Sequence, residues 1–125
     1  MIIDHIRNLD EFKKLFIERP MNQDVYSFDF IVNNPHTYCF YTDDKLKAFI
    51  FIAKHGKRLF LSGASRPKMM EENIAAINAV CGAYDEPIYS DTDIKAARLV
   101  LLKAGFKRLR NTNIYKRSKL NVKKQ

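Results

Sequence analysis

The hydrophobic pattern of this 125-residue chain changes its period once, near Pro67, and the change limits the folds that the chain can adopt. Before Pro67, runs of β-forming residues are separated by short polar turns; the runs are residues 36–42, 45–54 and 57–63. After Pro67, apolar residues recur every three or four positions from Met70 to Tyr84, as on one face of a helix. The pattern predicts an antiparallel meander of three strands, followed by a helix with Pro67 in its first turn that crosses the sheet.

The C-terminal part continues the alternation of strand and helix. Residues 86–90 have the composition of a short strand, and residues 106–110 and 114–117 are predicted to close the sheet. Between them, apolar positions at helical spacing predict a helix; they are Ile94, Ala97, Val100, Leu101 and Ala104. The polar residues 91–93 are predicted to cap its start, and Gly105 stands where helices commonly end in a left-handed turn.

The N-terminal part predicts one helix and leaves one segment open. Residues 8–19 carry apolar residues at helical spacing, with Asn8 or Asp10 as the cap and Pro20 as the end. Residues 22–32 fit a helix and a strand equally well.

Length and composition indicate one domain with one core. No apolar run reaches the roughly 18–20 residues that cross a bilayer, and the first residues lack the apolar core of a secretory signal. We therefore expect a cytoplasmic protein that does not bind membranes. Cys39 and Cys81 stand in apolar patterns, which favours reduced core residues over a disulfide between them. The sequence has no Cys–x–x–Cys pair and predicts no metal site.

The net charge of +8 is placed unevenly along the chain. The last acidic residue is Asp93, and eight Lys or Arg residues lie from Lys107 to the end, while the other 14 of the 22 basic residues balance the 14 acidic ones. Such a basic end predicts an anionic partner, namely a nucleic acid, an acidic protein or coenzyme phosphates. The alternative is a solvated tail that binds no partner. The residues expected to contact a nucleic acid or acidic partner are Arg108, Arg110, Lys116, Arg117 and Lys119. We expect one domain over residues 1–117 and a basic tail over residues 118–125.

Residues 91–107, DTDIKAARLVLLKAGFK, resemble the last helix of the GNAT superfamily of N-acetyltransferases. Members of that family read approximately N-x-x-A-x-x-L-Y-x-K-x-G-F there, and the matching residues are Ala97, Lys103, Gly105 and Phe106. The predicted order of elements over residues 36–117 is also the GNAT order, and residues 1–19 fit it loosely. The resemblance implies an α+β fold, a single GNAT-like domain with a central mixed, mostly antiparallel sheet and helices on both faces.

The same resemblance implies where acetyl-CoA would bind. In the family, two parallel strands splay apart around the acyl-CoA; here they would be residues 59–62 and 87–90. A loop of the form Q/R-x-x-G-x-G/A holds the pyrophosphate, and this chain reads Arg66-Pro67-Lys68-Met69-Met70-Glu71, in which only the arginine matches. The resemblance therefore implies a degenerate cofactor site, or no cofactor; the candidates are Ser62, Gly63, Arg66 and Lys68, with Arg98 and Lys103 as further charge partners.

The catalytic residues are not evident. The family often uses a tyrosine to protonate the departing thiolate, and Leu101 stands at that position. Tyr89 is a weak candidate for a substitute acid, with a packing role as the alternative. His5, His36 and His55 are expected at edges or turns rather than as general bases.

Three functions follow as hypotheses. A small chain that keeps the GNAT outline without the glycine-rich loop is similar to acetyltransferase-like proteins of tailed bacteriophages. This favours a non-catalytic viral or accessory binding protein, located in the host cytoplasm or the virion. The alternatives are a divergent acetyl-CoA-dependent N-acetyltransferase that acts on an amine, and a nucleic-acid-binding protein that uses its basic C-terminus.

Overall fold

The computed structural model describes residues 1–18 and 26–118, which form seven strands and four helices. The strands are β1 (Ile2–Asp4), β2 (Thr37–Thr42), β3 (Lys45–His55), β4 (Arg58–Ser65), β5 (Ile88–Asp91), β6 (Lys107–Arg108) and β7 (Ile114–Arg117). The helices are α1 (Leu9–Glu18), α2 (Phe28–Asn33), α3 (Met70–Cys81) and α4 (Lys95–Lys103).

The strands form one sheet in the order β1-β2-β3-β4-β5-β7-β6, and only β4 and β5 run parallel among the described pairs. The predicted meander is thus confirmed. Its first turn holds Asp43 and Asp44 at φ of 53° and 61°, the left-handed values that a two-residue hairpin needs to match the strand twist. The parallel pair follows from the crossover through α3, as the change of period predicted.

Helices cover both faces of this sheet, so the predicted α+β architecture is confirmed. On one face, which we call the α3/α4 face, the buried residues include Ala76, Ile77, Val80, Cys81, Ile88, Leu101 and Phe106. On the other, the α1/α2 face, they include Phe12, Leu15, Phe16, Ile31, Cys39, Phe49 and Phe51. The two cysteines therefore lie in different clusters and are both free and buried, as the sequence predicted.

Residues 22–32 fit a helix and a strand equally well in sequence, and the structure decides between them only for the second half of this segment. Residues 28–33 form α2 because the Ser27 hydroxyl accepts a hydrogen bond from the Phe30 amide at 3.1 Å, which caps the helix. Residues 19–25 lie outside the described residues, as does Pro20. Asn8 caps α1, since its side chain accepts from the Glu11 amide at 3.0 Å. The sequence did not predict β1, which pairs with β2.

The predicted start of α4 is wrong. Asp91 is the last residue of β5, where it pairs with Ile114 of β7, and the helix begins at Lys95 after Ile94, with no side-chain cap. Ile94 is 56% exposed and does not belong to the buried stripe. Strand pairing thus takes up Asp91, one of the three residues that the local pattern assigned to a cap. The end of the helix is as predicted, with Gly105 at a φ of +88°.

Two further boundaries differ from the prediction. Helix α3 begins at Met70, so Pro67 lies in the bend before it rather than in its first turn. Strand β6 is only two residues long because its pairing with β7 stops at Arg108. Within residues 1–18 and 26–118, no helix is long and apolar enough to cross a membrane.

Candidate functional site

Strands β4 and β5 are joined at one end and open at the other. They pair only at Leu59 with Ile88 and at Phe60 with Tyr89. One residue further, the buried Ser90 hydroxyl donates a hydrogen bond of 2.8 Å to the Leu61 carbonyl oxygen, and no ladder pair follows in the described residues. The predicted parallel alignment of residues 59–62 with 87–90 is confirmed, with a shorter pairing than predicted.

A cleft of about 500 Å³ occupies the opening. The end of β4 and the loop after it form one wall, and the first turns of α3 and α4 form the others. Its lining includes Leu61, Ser62, Gly63, Ser65, Arg66, Lys68, Met70, Asn73, Ile77, Ser90, Ala97, Val100 and Leu101. Over the whole lining, which also includes Phe40, Phe49 and Ile50, most side chains are apolar, as in pockets that bind small molecules.

Gly63 has no side chain and exposes its backbone to this cleft. The Leu61 carbonyl points toward β5, where Ser90 reaches it, and backbone groups two residues apart point to the same side of a strand. The amide of Gly63 therefore faces the opening. A Cβ at this position would meet the Phe49 carbonyl oxygen and lie 2.9 Å from Ile50 Cα, so only glycine fits here.

The mouth of the cleft holds an ion pair within the chain. The Arg66 guanidinium donates to a carboxylate oxygen of Glu18 at 2.8 Å, with Arg66 33% and Glu18 38% exposed. The Arg66 Nε also lies 3.4 Å from the Leu46 carbonyl oxygen. An anionic ligand that approaches Arg66 would therefore compete with Glu18 for its Nη1, and no local pattern in the sequence could reveal this neighbour.

The loop between β4 and α3 has a strained residue and an uncapped helix start. Lys68 is exposed and has a φ of 63°, a left-handed conformation that favours glycine. Met69 precedes α3 without a side-chain cap, so among the described residues the first amides of the helix have no side-chain acceptor. Uncapped amides and a helix N-terminus favour an anion, while Glu71 and Glu72 in the first turn oppose it.

Asn73 adds a polar group that sequence reasoning missed. Its side-chain Nδ2 donates to Ser65 Oγ at 2.9 Å, while Oδ1 is buried and has no partner in the described residues. A buried acceptor without a partner is uncommon, and here it belongs to a residue of the cleft lining. A ligand with an amide or hydroxyl donor would satisfy it. The only signal in the sequence is a polar residue beside the apolar stripe of α3.

No protein-family model matches the sequence, and no curated protein is significantly similar to it. Three solved structures with a similar fold are acetyltransferases. Aminoglycoside 6'-acetyltransferase type Ii has a TM-score of 0.69 and 16% identity over 97% of this chain and 99% of its own. The Bacillus subtilis N-acetyltransferase YlbP, solved with coenzyme A, has a TM-score of 0.65 and 17% identity over 94% and 95%. The Escherichia coli ribosomal-protein-S18-alanine N-acetyltransferase has a TM-score of 0.59 and 11% identity over 97% and 95%.

The chain has the GNAT fold. The likeness spans nearly the whole chain and nearly the whole of each similar structure. With identities of 11–17%, it establishes the fold and leaves the activity to the residues of the cleft.

The four predicted cofactor-binding residues come together in this GNAT fold. Ser62, Gly63, Arg66 and Lys68 all line the cleft. The two further charge partners do not. Arg98 donates to Asn113 Oδ1 at 2.6 Å, and Lys103 lies at the far end of α4, and neither is among the lining residues.

The catalytic candidates lie elsewhere. Leu101, at the position of the family tyrosine, lines the cleft and is buried. Its aliphatic side chain has no proton to donate. Tyr89 alternates with the buried Ile88 and Ser90 along β5 and packs on Phe60, with ring centroids 5.7 Å apart. It is not a lining residue, so its placement favours the packing role over that of an acid. The described lining residues with titratable side chains are Glu18, Arg66 and Lys68.

The histidines also lie away from the cleft lining. His5 stacks on Tyr38, His36 bonds through Nδ1 to the Tyr84 hydroxyl at 3.1 Å, and His55 packs edge-on against Phe60. Among the residues that the structure describes, no cluster of three or more His, Cys, Asp or Glu side chains is arranged to hold a metal ion.

The predicted basic partner-binding residues that the structure describes do not share one face of the sheet, because Arg108 and Arg117 lie on the side of Tyr115 and Lys116 lies on the other. Arg108 and Arg117 donate to the carbonyl oxygens of Thr112 and Ala104, at 2.7 and 3.3 Å. Arg110 is exposed in the turn between β6 and β7, and Lys116 lies beside the Tyr89 ring. Lys119 and most of the tail lie outside the described residues.

Proposed function

We propose that this protein binds acetyl-CoA in the cleft between β4 and β5 and transfers the acetyl group to an amine. The observation that carries the proposal is the opening itself, where β4 and β5 part just beyond Ser90 and leave the Gly63 amide without a partner strand. When bound, acetyl-CoA supplies an activated thioester. The chain supplies backbone donors for the acyl carbonyl, apolar walls from Leu61, Val100 and Leu101, and two cations, Arg66 and Lys68, for the phosphates.

The described residues would act mainly by positioning. With Leu101 in place of a tyrosine, the lining offers no hydroxyl acid at that position, and Glu18 is its one described carboxylate. Glu18 is already engaged by Arg66, so we expect an amine that reaches the cleft unprotonated to react fastest. Positioning of two reactants contributes a large part of the acceleration in such reactions. The rate should therefore rise with pH as the amine loses its proton.

A non-catalytic role is the second candidate, and the Glu18–Arg66 pair favours it. A carboxylate that occupies the phosphate-binding arginine weakens cofactor binding, and Leu101 removes one catalytic group. In this case the GNAT fold serves as a scaffold for a viral or accessory binding protein. An origin in a bacteriophage and a nucleic-acid contact through the basic C-terminus stay predictions.

Calorimetry with acetyl-CoA, at low and at physiological salt, tests the first proposal. Binding should persist at physiological salt and weaken at least tenfold in Arg66→Gln/Lys68→Gln, because two phosphate-facing cations are removed. The matched control is Lys57→Gln/Arg110→Gln, which removes the same charge from exposed positions that do not line the cleft. Equal losses of affinity in both double variants would indicate that acetyl-CoA is attracted only by the net positive charge of the protein.

An assay of thiol release from acetyl-CoA with a panel of primary amines then separates the two candidates. Thiol release that depends on the amine and increases with pH supports transfer. Tight cofactor binding without release from any amine would support the non-catalytic role.

A further inference from the structure

A row of aromatic and basic side chains crosses the exposed end of the sheet, on the α1/α2 face and away from the cleft. The paired residues are Phe60 on β4, Tyr89 on β5, Lys116 on β7 and Lys107 on β6, which are direct neighbours across four strands. Arg58, two residues before Phe60, points to the same face, since side chains alternate along a strand. We call these five residues the strand-face row.

The aromatic rings of this row are not part of either core. Phe60 and Tyr89 are half-buried, and neither belongs to the two clusters of buried residues or to the side chains packed against them. The described parts of α1 and α2 contact the β2–β4 part of this face, through Phe12, Phe16 and Ile31. Rings that the core does not use, and that remain accessible, suit a planar partner.

Two of the three cations of the row lie close to the Tyr89 ring. The Arg58 guanidinium lies 4.5 Å from the centroid of the Tyr89 ring, and the Lys116 ammonium lies 5.8 Å from it. Within the part of the chain that the structure describes, no ion pair joins these two cations or Lys107 to a carboxylate. Asp91, two positions beyond Tyr89 on β5, points to the same face, and the row itself carries three cations and no carboxylate.

We propose that the strand-face row binds a single-stranded nucleic acid. Bases would stack on Phe60 and Tyr89, and phosphates would contact Arg58, Lys107 and Lys116. Exposed sheet faces that carry aromatic rings on neighbouring strands bind bases in this way, because every base has a flat face and cations neutralise the backbone. An acidic peptide would use the cations alone and would leave the rings without a role. Of the five residues that the sequence predicts to contact a nucleic acid or acidic partner, this surface includes only Lys116.

Fluorescence anisotropy with labelled twelve-residue oligonucleotides, U12 RNA and dT12 DNA, tests the proposal on the full chain over a range of salt concentrations. Arg58→Gln/Lys116→Gln should lower the slope of log affinity against log salt by about 1.4, or about 0.7 for each phosphate that is no longer neutralised. The control Lys95→Gln/Lys103→Gln removes the same charge from exposed positions of α4 on the opposite face and should leave the slope almost unchanged.

A second pair of variants tests the rings. Tyr89→Leu should weaken binding about 5- to 100-fold, because stacking on one base is abolished. Tyr89→Phe keeps the ring and should retain binding, and melting temperatures would show that both variants fold. A stronger affinity for U12 than for dT12 would favour RNA as the partner, and the reverse would favour DNA; either supports the proposal.

Three results would overturn it. One is no binding of either oligonucleotide at low salt. Another is an equal change of slope in both charge variants, with no effect of Tyr89→Leu, which would indicate general attraction to a basic protein. The last is complete displacement of the oligonucleotide by poly-glutamate at equal charge concentration, which would indicate an acidic protein as the partner.

Discussion

The two ends of the β4–β5 pair differ in what they present. At the joined end, Phe60 pairs with Tyr89, and aromatic and basic side chains face outward. At the open end, small and apolar residues surround a cleft of about 500 Å³, and its arginine is held by Glu18. A pair of strands that parts after two residues therefore offers two different surfaces a short distance apart. The open end is where we propose that acetyl-CoA binds, and the joined end has charges that no described carboxylate neutralises.

The largest effect is expected from Gly63→Ala, at the open end. The new Cβ would meet the backbone of β3, so a strand must shift, and we expect a loss of about 2–3 kcal/mol in the free energy of unfolding. Acetyl-CoA binding should also be abolished. Chemical denaturation measures the first effect and calorimetry the second.

The control for Gly63→Ala is Gly105→Ala, where a Cβ meets open space and only the φ of +88° resists it. We expect a loss of about 1–2 kcal/mol there and an intact cleft. If both variants cost the same and both bind acetyl-CoA, Gly63 is not a determinant of the opening.

Ser90→Ala removes the last link between the two strands. The Ser90 residue is 6% exposed, and its removal leaves the Leu61 carbonyl without that donor, which should cost about 1–2 kcal/mol. The variant Ser62→Ala, at a half-exposed position of the same cleft, should cost less than about 0.5 kcal/mol. A stability loss at Ser90 no greater than at Ser62 would show that the hydrogen bond does not fix the branching point.

Each of the two clusters of buried residues contains one cysteine, so the stability of the two faces can be compared at alkaline pH. Burial raises the pKa of Cys81 to about 11 and that of Cys39 to about 12, from an ordinary value of 9.0. Both thiols favour the folded state while they are neutral, so their contribution is complete below pH 9 and is lost as the pH rises toward 11–12. Unfolding experiments from pH 8 to 11 should show this decline, of roughly 1 kcal/mol for each thiol at pH 10.

Alkylation followed by mass spectrometry shows which of the two cysteines reacts first. Cys81 lies on the α3/α4 face that borders the cleft, and its pKa is the lower of the two, so it should be modified before Cys39. Modification of Cys39 first would indicate that the α1/α2 face opens more readily than the face beside the cleft.

The smallest effect on stability, and a direct test of the open end, is Glu18→Gln. The ion pair with Arg66 is partly exposed, so its removal should change the free energy of unfolding by less than about 1 kcal/mol. Acetyl-CoA affinity should rise roughly two- to fivefold, because Arg66 is released and a negative charge leaves the mouth of the cleft. Glu86→Gln, at an exposed position outside the lining, is the matched control. Unchanged affinity in Glu18→Gln would exclude competition by Glu18.

Much of the fold followed from the sequence because its signals are local. The turn at Asp43 and Asp44, the end of α4 at Gly105 and strand β7 depend on a few neighbouring residues, and each was predicted. The order of elements then fixed the crossover and the parallel pair. The predicted cap of α4 failed because pairing with β7, a strand distant in sequence, extended β5 through Asp91.

By itself, therefore, the sequence determined the order of elements from β2 to β7, the meander and the crossover, and the family resemblance implied four residues that line the cleft. Only the tertiary structure decided that Arg66 meets Glu18, 48 residues away in the chain, and that Asn73 Oδ1 is buried without a partner among the described residues. It also placed Tyr89 on the strand-face row rather than in the cleft. The physical reason is range: turn chemistry and periodicity act over a few residues, whereas the face and the partner of a side chain depend on the register between strands that are distant in sequence.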